Sequence, residues 1–126
     1  MITLAAPLAS AQAVSDVILA PGGQATVLGG TITGRAHVDY RLEARAGQEL
    51  HVDLKAPQGG ERGSAYLNIL PPGSTDVAIY IGSMDDDGQE TLRLPEDGAY
   101  TLRLYLRGND RDAGETVAYV LGLSLR

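Results

Sequence analysis

Leu92 to Arg107 reads LRLPEDGAYTLRLYLR, and its alternation decides the fold. Leu92 and Leu94 flank Arg93; after a turn, Tyr100, Leu102, Leu104 and Leu106 alternate with Thr101, Arg103, Tyr105 and Arg107. A period of two sustained over eight residues marks a strand with one buried and one solvated face. Glu96-Asp97-Gly98 between the two runs reverses the chain, because Gly accepts positive φ and Asp bonds its own backbone. The second run enters RGNDRDAGE, residues 107–115, which holds five charged side chains in nine residues. A charged loop on a β scaffold favours binding over catalysis.

The same signature recurs upstream. Ala36, Val38, Tyr40, Leu42 and Ala44 alternate with polar residues, as do Leu50, Val52 and Leu54 after the turn at Ala46-Gly47-Gln48. Downstream, Val117, Tyr119, Leu121, Leu123 and Leu125 make a final strand. Shorter strands are expected at Val17–Leu19, Ala25–Leu28, Thr31–Thr33, Ala65–Leu70 and Val77–Ile81, divided by Gly and Pro. PQGGERGS, residues 57–64, has no periodicity and reads as a loop. No window of eleven residues sustains a helical period. The expectation is an all-β protein, an antiparallel two-sheet β-sandwich of about eight strands. Tyr40, Leu42, Leu50, Val52, Leu54, Leu102, Leu104 and Leu121 should be buried.

The chain has 126 residues, enough for one domain with a substantial core. It has 16 Gly, 6 Pro, and no Cys, Trp or Phe, so aliphatics and six tyrosines must fill that core. Without Cys there are no disulfide staples and no zinc–thiolate sites. The formal net charge of −6 argues against nucleic acid, whose phosphates need clustered Lys and Arg, and suits a basic partner.

MITLAAPLASAQA, residues 1–13, is apolar and Ala-rich and ends in alternating small residues, like a signal-peptidase site. It is too short to span a membrane and lacks a basic flank. The expectation is a signal-peptide remnant over 1–13, one sandwich domain over 14–126, and export to the periplasm. The alternative is a loose arm or an added first strand.

Catalytic signals are thin. No serine sits in a nucleophile elbow, and no glycine loop of the phosphate-binding kind is present. His37 and His51 fall on the polar faces of strands. Asp85-Asp86-Asp87 precedes Gly88, but adjacent aspartates with no following bidentate Glu do not make a calcium loop. No catalytic residue, metal or cofactor is expected.

The succession Gly30-Thr31-Ile32-Thr33-Gly34, Asp39-Tyr40, Ala46-Gly47-Gln48 and LPEDGAYTLRLYL resembles the bacterial pre-peptidase C-terminal type β-sandwich domain. Within that group the layout, from about Gly29 to Leu125, is most similar to the periplasmic inhibitors of goose-type (g-type) lysozyme. The resemblance implies a non-catalytic protein that pushes loops into the cleft of a peptidoglycan hydrolase. Of the family's Ser-Gly-x-Tyr signature, Gly98 and Tyr100 match and Asp97 replaces the serine. Of its Arg-Asn-x-x-x-Arg loop, Asn109 matches, Gly108 and Asp112 hold the arginine positions, and Arg107 and Arg111 stand one residue earlier with the same spacing.

The expected contact residues are therefore Asp97, Tyr100, Arg107, Asn109, Arg111 and His37, with Arg107 and Arg111 beside the turn that carries Asp97. Tyr100 has a competing role as a core and corner residue. Arg107 and Arg111 have one as partners of Asp110, Asp112 or Glu115. The expected partner is a g-type lysozyme or another basic envelope protein. The alternative is a general envelope module binding protein or carbohydrate, which the lack of Trp and Phe disfavours for sugars.

Overall fold

The computed structural model describes residues 12–19, 24–55, 65–74, 78, 80–81 and 89–126. These form a two-sheet sandwich. One sheet has five strands in the order β1-β3-β8-β5-β6: β1 (Gln12–Val17), β3 (His37–Ala44), β8 (Gly98–Leu106), β5 (Ala65–Leu70) and β6 (Tyr80–Ile81). The other has four in the order β2-β9-β4-β7: β2 (Thr26–Thr33), β9 (Thr116–Leu125), β4 (Glu49–Lys55) and β7 (Gln89–Arg93). A single helical turn, α1 (Asn109–Asp112), lies between β8 and β9. No helix among the described residues is long and apolar enough to cross a membrane.

Among the described residues the chain crosses between sheets at nearly every connection; only β5 and β6 follow each other within one sheet. The turn at Glu96-Asp97-Gly98 is therefore a corner between sheets rather than a hairpin within one. The same crossing explains the one parallel ladder, β1 on β3. Passing from β1 to β2 and back to β3 reverses the chain twice, so β3 returns in the direction of β1. All other ladders are antiparallel.

Alternation does what the sequence implies. All eight residues expected in the core are buried, with Leu50, Leu102, Leu104 and Leu121 at 0% exposure. Fully burying a side chain of this kind contributes about 1.5–3 kcal/mol, so the facing Leu/Ile/Val rows carry the sandwich.

Gly29-Gly30 departs from expectation. It does not divide two short strands; β2 runs straight through it, paired to β9 from Thr26 to Thr33. The ring of Tyr119 explains the glycine. A Cβ on Gly30 would lie 2.7 Å from the Tyr119 hydroxyl, so only a residue without a side chain fits beneath that ring. The hydroxyl of Tyr119 in turn meets that of Tyr40 at 2.6 Å, a buried hydrogen bond linking the two sheets through the core. Burial and this bond push the Tyr119 pKa well above the ordinary tyrosine value.

The first strand also differs in place. β1 covers Gln12–Val17 rather than Val17–Leu19, and Gln12 and Ala13 pair with His37 and Val38, so the strand starts just before the boundary expected at Val14. Residues 1–11, which carry most of the expected signal remnant, lie outside the described residues, as do 57–64 and Asp85–Asp87.

Candidate functional site

Strand β8 is the central strand of the five-stranded sheet, and the candidate residues fall at its two ends. Its nine residues rise about 3.3 Å per step, which separates the ends by roughly 26 Å. Asp97 and Tyr100 lie at the start; Arg107, Asn109 and Arg111 lie past the finish. The expectation that the arginines sit beside the turn carrying Asp97 is thus overturned. The signal was present in the sequence: an eight-residue alternation is a rod, and a rod cannot bring its ends together.

At the first end both candidate side chains, Tyr100 and Asp97, are used internally. Tyr100 is 0% exposed. Its hydroxyl donates to the Glu96 carbonyl at 2.7 Å and accepts from the Glu96 N–H at 2.9 Å, closing the corner between sheets. Tyr100 therefore takes its core-and-corner role and presents nothing to a partner. The Asp97 carboxylate, though exposed, accepts from the Ala46 N–H at 2.7 Å and ties this corner to the β3–β4 turn. Gly98 has φ 135°, and a Cβ there would come within 2.9 Å of the Pro72 ring. Glycine is needed on both counts.

The other end is built differently. β8 delivers Arg107, exposed, then Gly108 at φ 74° turns the chain into α1. The Asp112 N–H donates to the Gly108 carbonyl and the Ala113 N–H to the Asn109 carbonyl, which close the turn on itself. Gly114, at φ 72°, leads out, and the Gly34 N–H bonds to the Glu115 carbonyl at 2.9 Å, docking the loop on the β2–β3 turn. Asn109 is exposed. Arg111 Nε donates to Asp112 Oδ1 at 3.0 Å, and Arg35 Nη2 reaches the same oxygen at 3.4 Å. One carboxylate is shared by two guanidinium groups.

Arg107 has a different neighbour. Its guanidinium carbon lies 5.9 Å from the centre of the Tyr66 ring, within cation–π range, and it has no ion pair among the described residues. Tyr66 lies 6.1 Å from Tyr105, whose hydroxyl donates to Asn68 Oδ1 at 2.9 Å. These rings belong to a row across the outer face of the sheet, since His37, Tyr105 and Tyr66 are direct cross-strand partners. The next row is Asp39, Arg103 and Asn68. There Asp39, 6% exposed, is met by Arg103 through Nε and Nη2, both at 2.9 Å. Hydrogen bonding to Asp39 holds the Arg103 pKa above its ordinary value. A buried carboxylate engaged twice by one guanidinium stiffens the face and leaves little charge to offer.

His37 closes the row at its β1 side. It is half-buried, and Nε2 is shielded from solvent without a hydrogen-bond partner among the described residues, 3.9 Å from Asp39 Oδ1. His37 thus lies on the face that leads to Arg107, Asn109 and Arg111, and away from Asp97. Arg35, Tyr66 and the Asp39–Arg103 pair complete this end and went unrecognised in the sequence. Tyr66 lies 41 residues before Arg107, and only strand register, which no local pattern reveals, brings the two together. Among the described residues no group of three His, Asp or Glu side chains is placed to hold a metal ion.

Solved structures show the same two-sheet sandwich fold. The pre-peptidase C-terminal domain of collagenase from Bacillus anthracis superposes with a TM-score of 0.63 at 13% identity, over 91% of this chain and 96% of that one, a likeness of fold alone. The periplasmic lysozyme inhibitor of g-type lysozyme from Aeromonas hydrophila, PliG, is similar in sequence as well. It is 30% identical over 91% of this chain and 97% of that chain, with a TM-score of 0.78. The Salmonella Typhimurium PliG is 26% identical over 90% and 98%, with a TM-score of 0.66. A mutant of the Escherichia coli PliG is 25% identical over 93% and 100%, with a TM-score of 0.67. No family model matches the sequence, and no curated protein matches it by sequence. The chain belongs to the family of PliG periplasmic inhibitors of g-type lysozyme.

Proposed function

We propose that this protein is a non-catalytic periplasmic inhibitor that blocks the cleft of a g-type lysozyme or a related peptidoglycan hydrolase. The observation that carries the reading is the state of Arg107. In a chain of net charge −6, this guanidinium sits exposed on a tyrosine ring with no carboxylate partner among the described residues. Arg111 and Arg35 share a single carboxylate, that of Asp112 on the following loop. Kinship with the PliG proteins, periplasmic inhibitors of g-type lysozyme, supports the choice of partner and of compartment.

The chemistry is that of ion recognition in a confined site. A glycosidase cleft contains at least one carboxylate. A guanidinium entering it forms charge-assisted hydrogen bonds, often bidentate, and water leaving the cleft strengthens them. The contact set is Arg107, Asn109 and Arg111 on the loop, with His37 and Tyr66 on the adjoining face. Asp97 and Tyr100 support the fold at the far end. The acidic remainder of the molecule steers it toward cationic lysozymes.

Titrating the chain into g-, c- and i-type lysozymes while following lysis of peptidoglycan tests this directly. Inhibition of the g-type enzyme at much lower concentration than the others is expected. Binding without inhibition of any of the three would favour the general envelope module.

A further inference from the structure

The edges of the two sheets are not alike. β6 is two residues long, and a short edge offers little to pair with. β7 carries Glu90 and Arg93, and β1 carries Asp16, which bonds to Arg41. Charges on an edge discourage pairing with another chain. β2 has neither protection. It is eight residues long, reads TVLGGTIT without a charge or a proline, and among the described residues no strand pairs with its outer side.

Its backbone is set for a partner. The Gly34 N–H bonds to the Glu115 carbonyl, so by the alternation of an antiparallel ladder the even residues of β2 bond to β9. The N–H and C=O groups of Val27, Gly29, Thr31 and Thr33 then point outward. All four residues are exposed, and Val27 is 67% exposed. A neighbouring apolar side chain, Val120 of β9, faces the same way and is 40% exposed.

We propose that β2 pairs antiparallel with β2 of a second copy of this chain, about a two-fold axis at Gly30, to give one continuous eight-stranded sheet. A two-fold axis requires self-complementarity, and this register has it. Val27 faces Thr33 of the other copy and Gly29 faces Thr31, each outward residue opposite an outward residue. The ladder closes with about eight hydrogen bonds. Elsewhere, two copies each of net charge −6 repel; β2 is the long edge where they meet without a charge. The two arginine ends point in opposite directions along the joined sheet, so both remain accessible. The pairing does not depend on which enzyme those ends engage.

Sedimentation equilibrium of the full chain, up to millimolar concentration, should show a concentration-dependent shift from monomer to twice the monomer mass. In the same range the amides of Val27, Gly29, Thr31 and Thr33 should gain hydrogen-exchange protection. A Cβ at Gly29 meets only the Tyr119 carbonyl, at an ordinary 3.6 Å, and Thr31 is exposed, so both positions accept longer side chains. Gly29→Lys with Thr31→Lys sets like charges opposite each other across the axis and should leave a monomer with an unchanged circular-dichroism spectrum. Gly29→Asp with Thr31→Lys sets opposite charges there and should restore the dimer. A parent chain that stays monomeric throughout, or a dimer that survives the double lysine change, overturns the proposal. Protection of those four amides only on adding a lysozyme would assign the edge to the enzyme and overturn it equally.

Discussion

The two ends of β8 spend their polar groups in opposite ways. At the start of the strand, the Tyr100 hydroxyl and the Asp97 carboxylate are both committed to backbone groups of neighbouring turns. At its finish, Arg107 rests on a ring, and Arg111 and Arg35 divide one carboxylate. Polar atoms already bonded within the protein stabilise it and have little left for a partner. Cations short of carboxylates contribute little to folding and are available for binding. Conspicuous residues at one end of a strand are therefore scaffold, and those at the other end are left to the site proposed above.

The largest effect is expected at Tyr100. Tyr100→Ala should cost about 3–5 kcal/mol of stability, read as a lower midpoint in urea, because a fully buried ring is lost. Tyr100→Phe keeps the ring and strands the Glu96 N–H and should cost about 1–3 kcal/mol. Per folded molecule, lysozyme inhibition by the Phe variant should match the parent. A Phe variant that is as stable as the parent but fails to inhibit would move the site to this end.

Arg107→Ala combined with Arg111→Ala should act the other way round. Inhibition of a g-type lysozyme should weaken by tenfold or more, about 1.4 kcal/mol or above in binding. The melting temperature should barely change, since exposed ion pairs are worth up to about 1 kcal/mol. Full inhibition by the double variant would remove the arginine end from the contact surface.

Asp97→Ala sharpens the contrast at smaller scale. Loss of the bond to the Ala46 N–H should cost about 0.5–1.5 kcal/mol of stability, with inhibition unchanged. Smaller still, raising the salt concentration severalfold should weaken inhibition modestly while leaving thermal stability nearly constant. The interacting charges of the site are exposed and screened, whereas those of the corner are short hydrogen bonds.

How much of this could be read in advance follows from range. Alternation is local, so the strands β3, β4, β8 and β9, their inward faces and the sandwich itself were legible. The corner at Tyr100 was legible too, as one of two roles open to a tyrosine after a Pro/Gly turn. What escaped depends on partners far along the chain. Gly29-Gly30 looked like a break because the ring of Tyr119, which requires it, is contributed by a strand ninety residues downstream. Arg103 looked like a solvated face residue until register placed Asp39 opposite it. The parallel first strand depends on how many times the chain crosses between sheets, which no run of residues encodes.

The loop at residues 107–115 holds its shape through main-chain bonds and glycine turns: Asp112 N–H to Gly108 C=O, Ala113 N–H to Asn109 C=O, and Gly34 N–H to Glu115 C=O. None of these requires a particular side chain at Arg107, Asn109 or Arg111. The loop is thus a cassette in which residues can be exchanged without redesigning its frame. Under the proposed function, target preference could change by single substitutions while the scaffold stays intact. If the proposed site is right, grafting the corresponding segment of a relative between Leu106 and Thr116 should carry that relative's target preference with it.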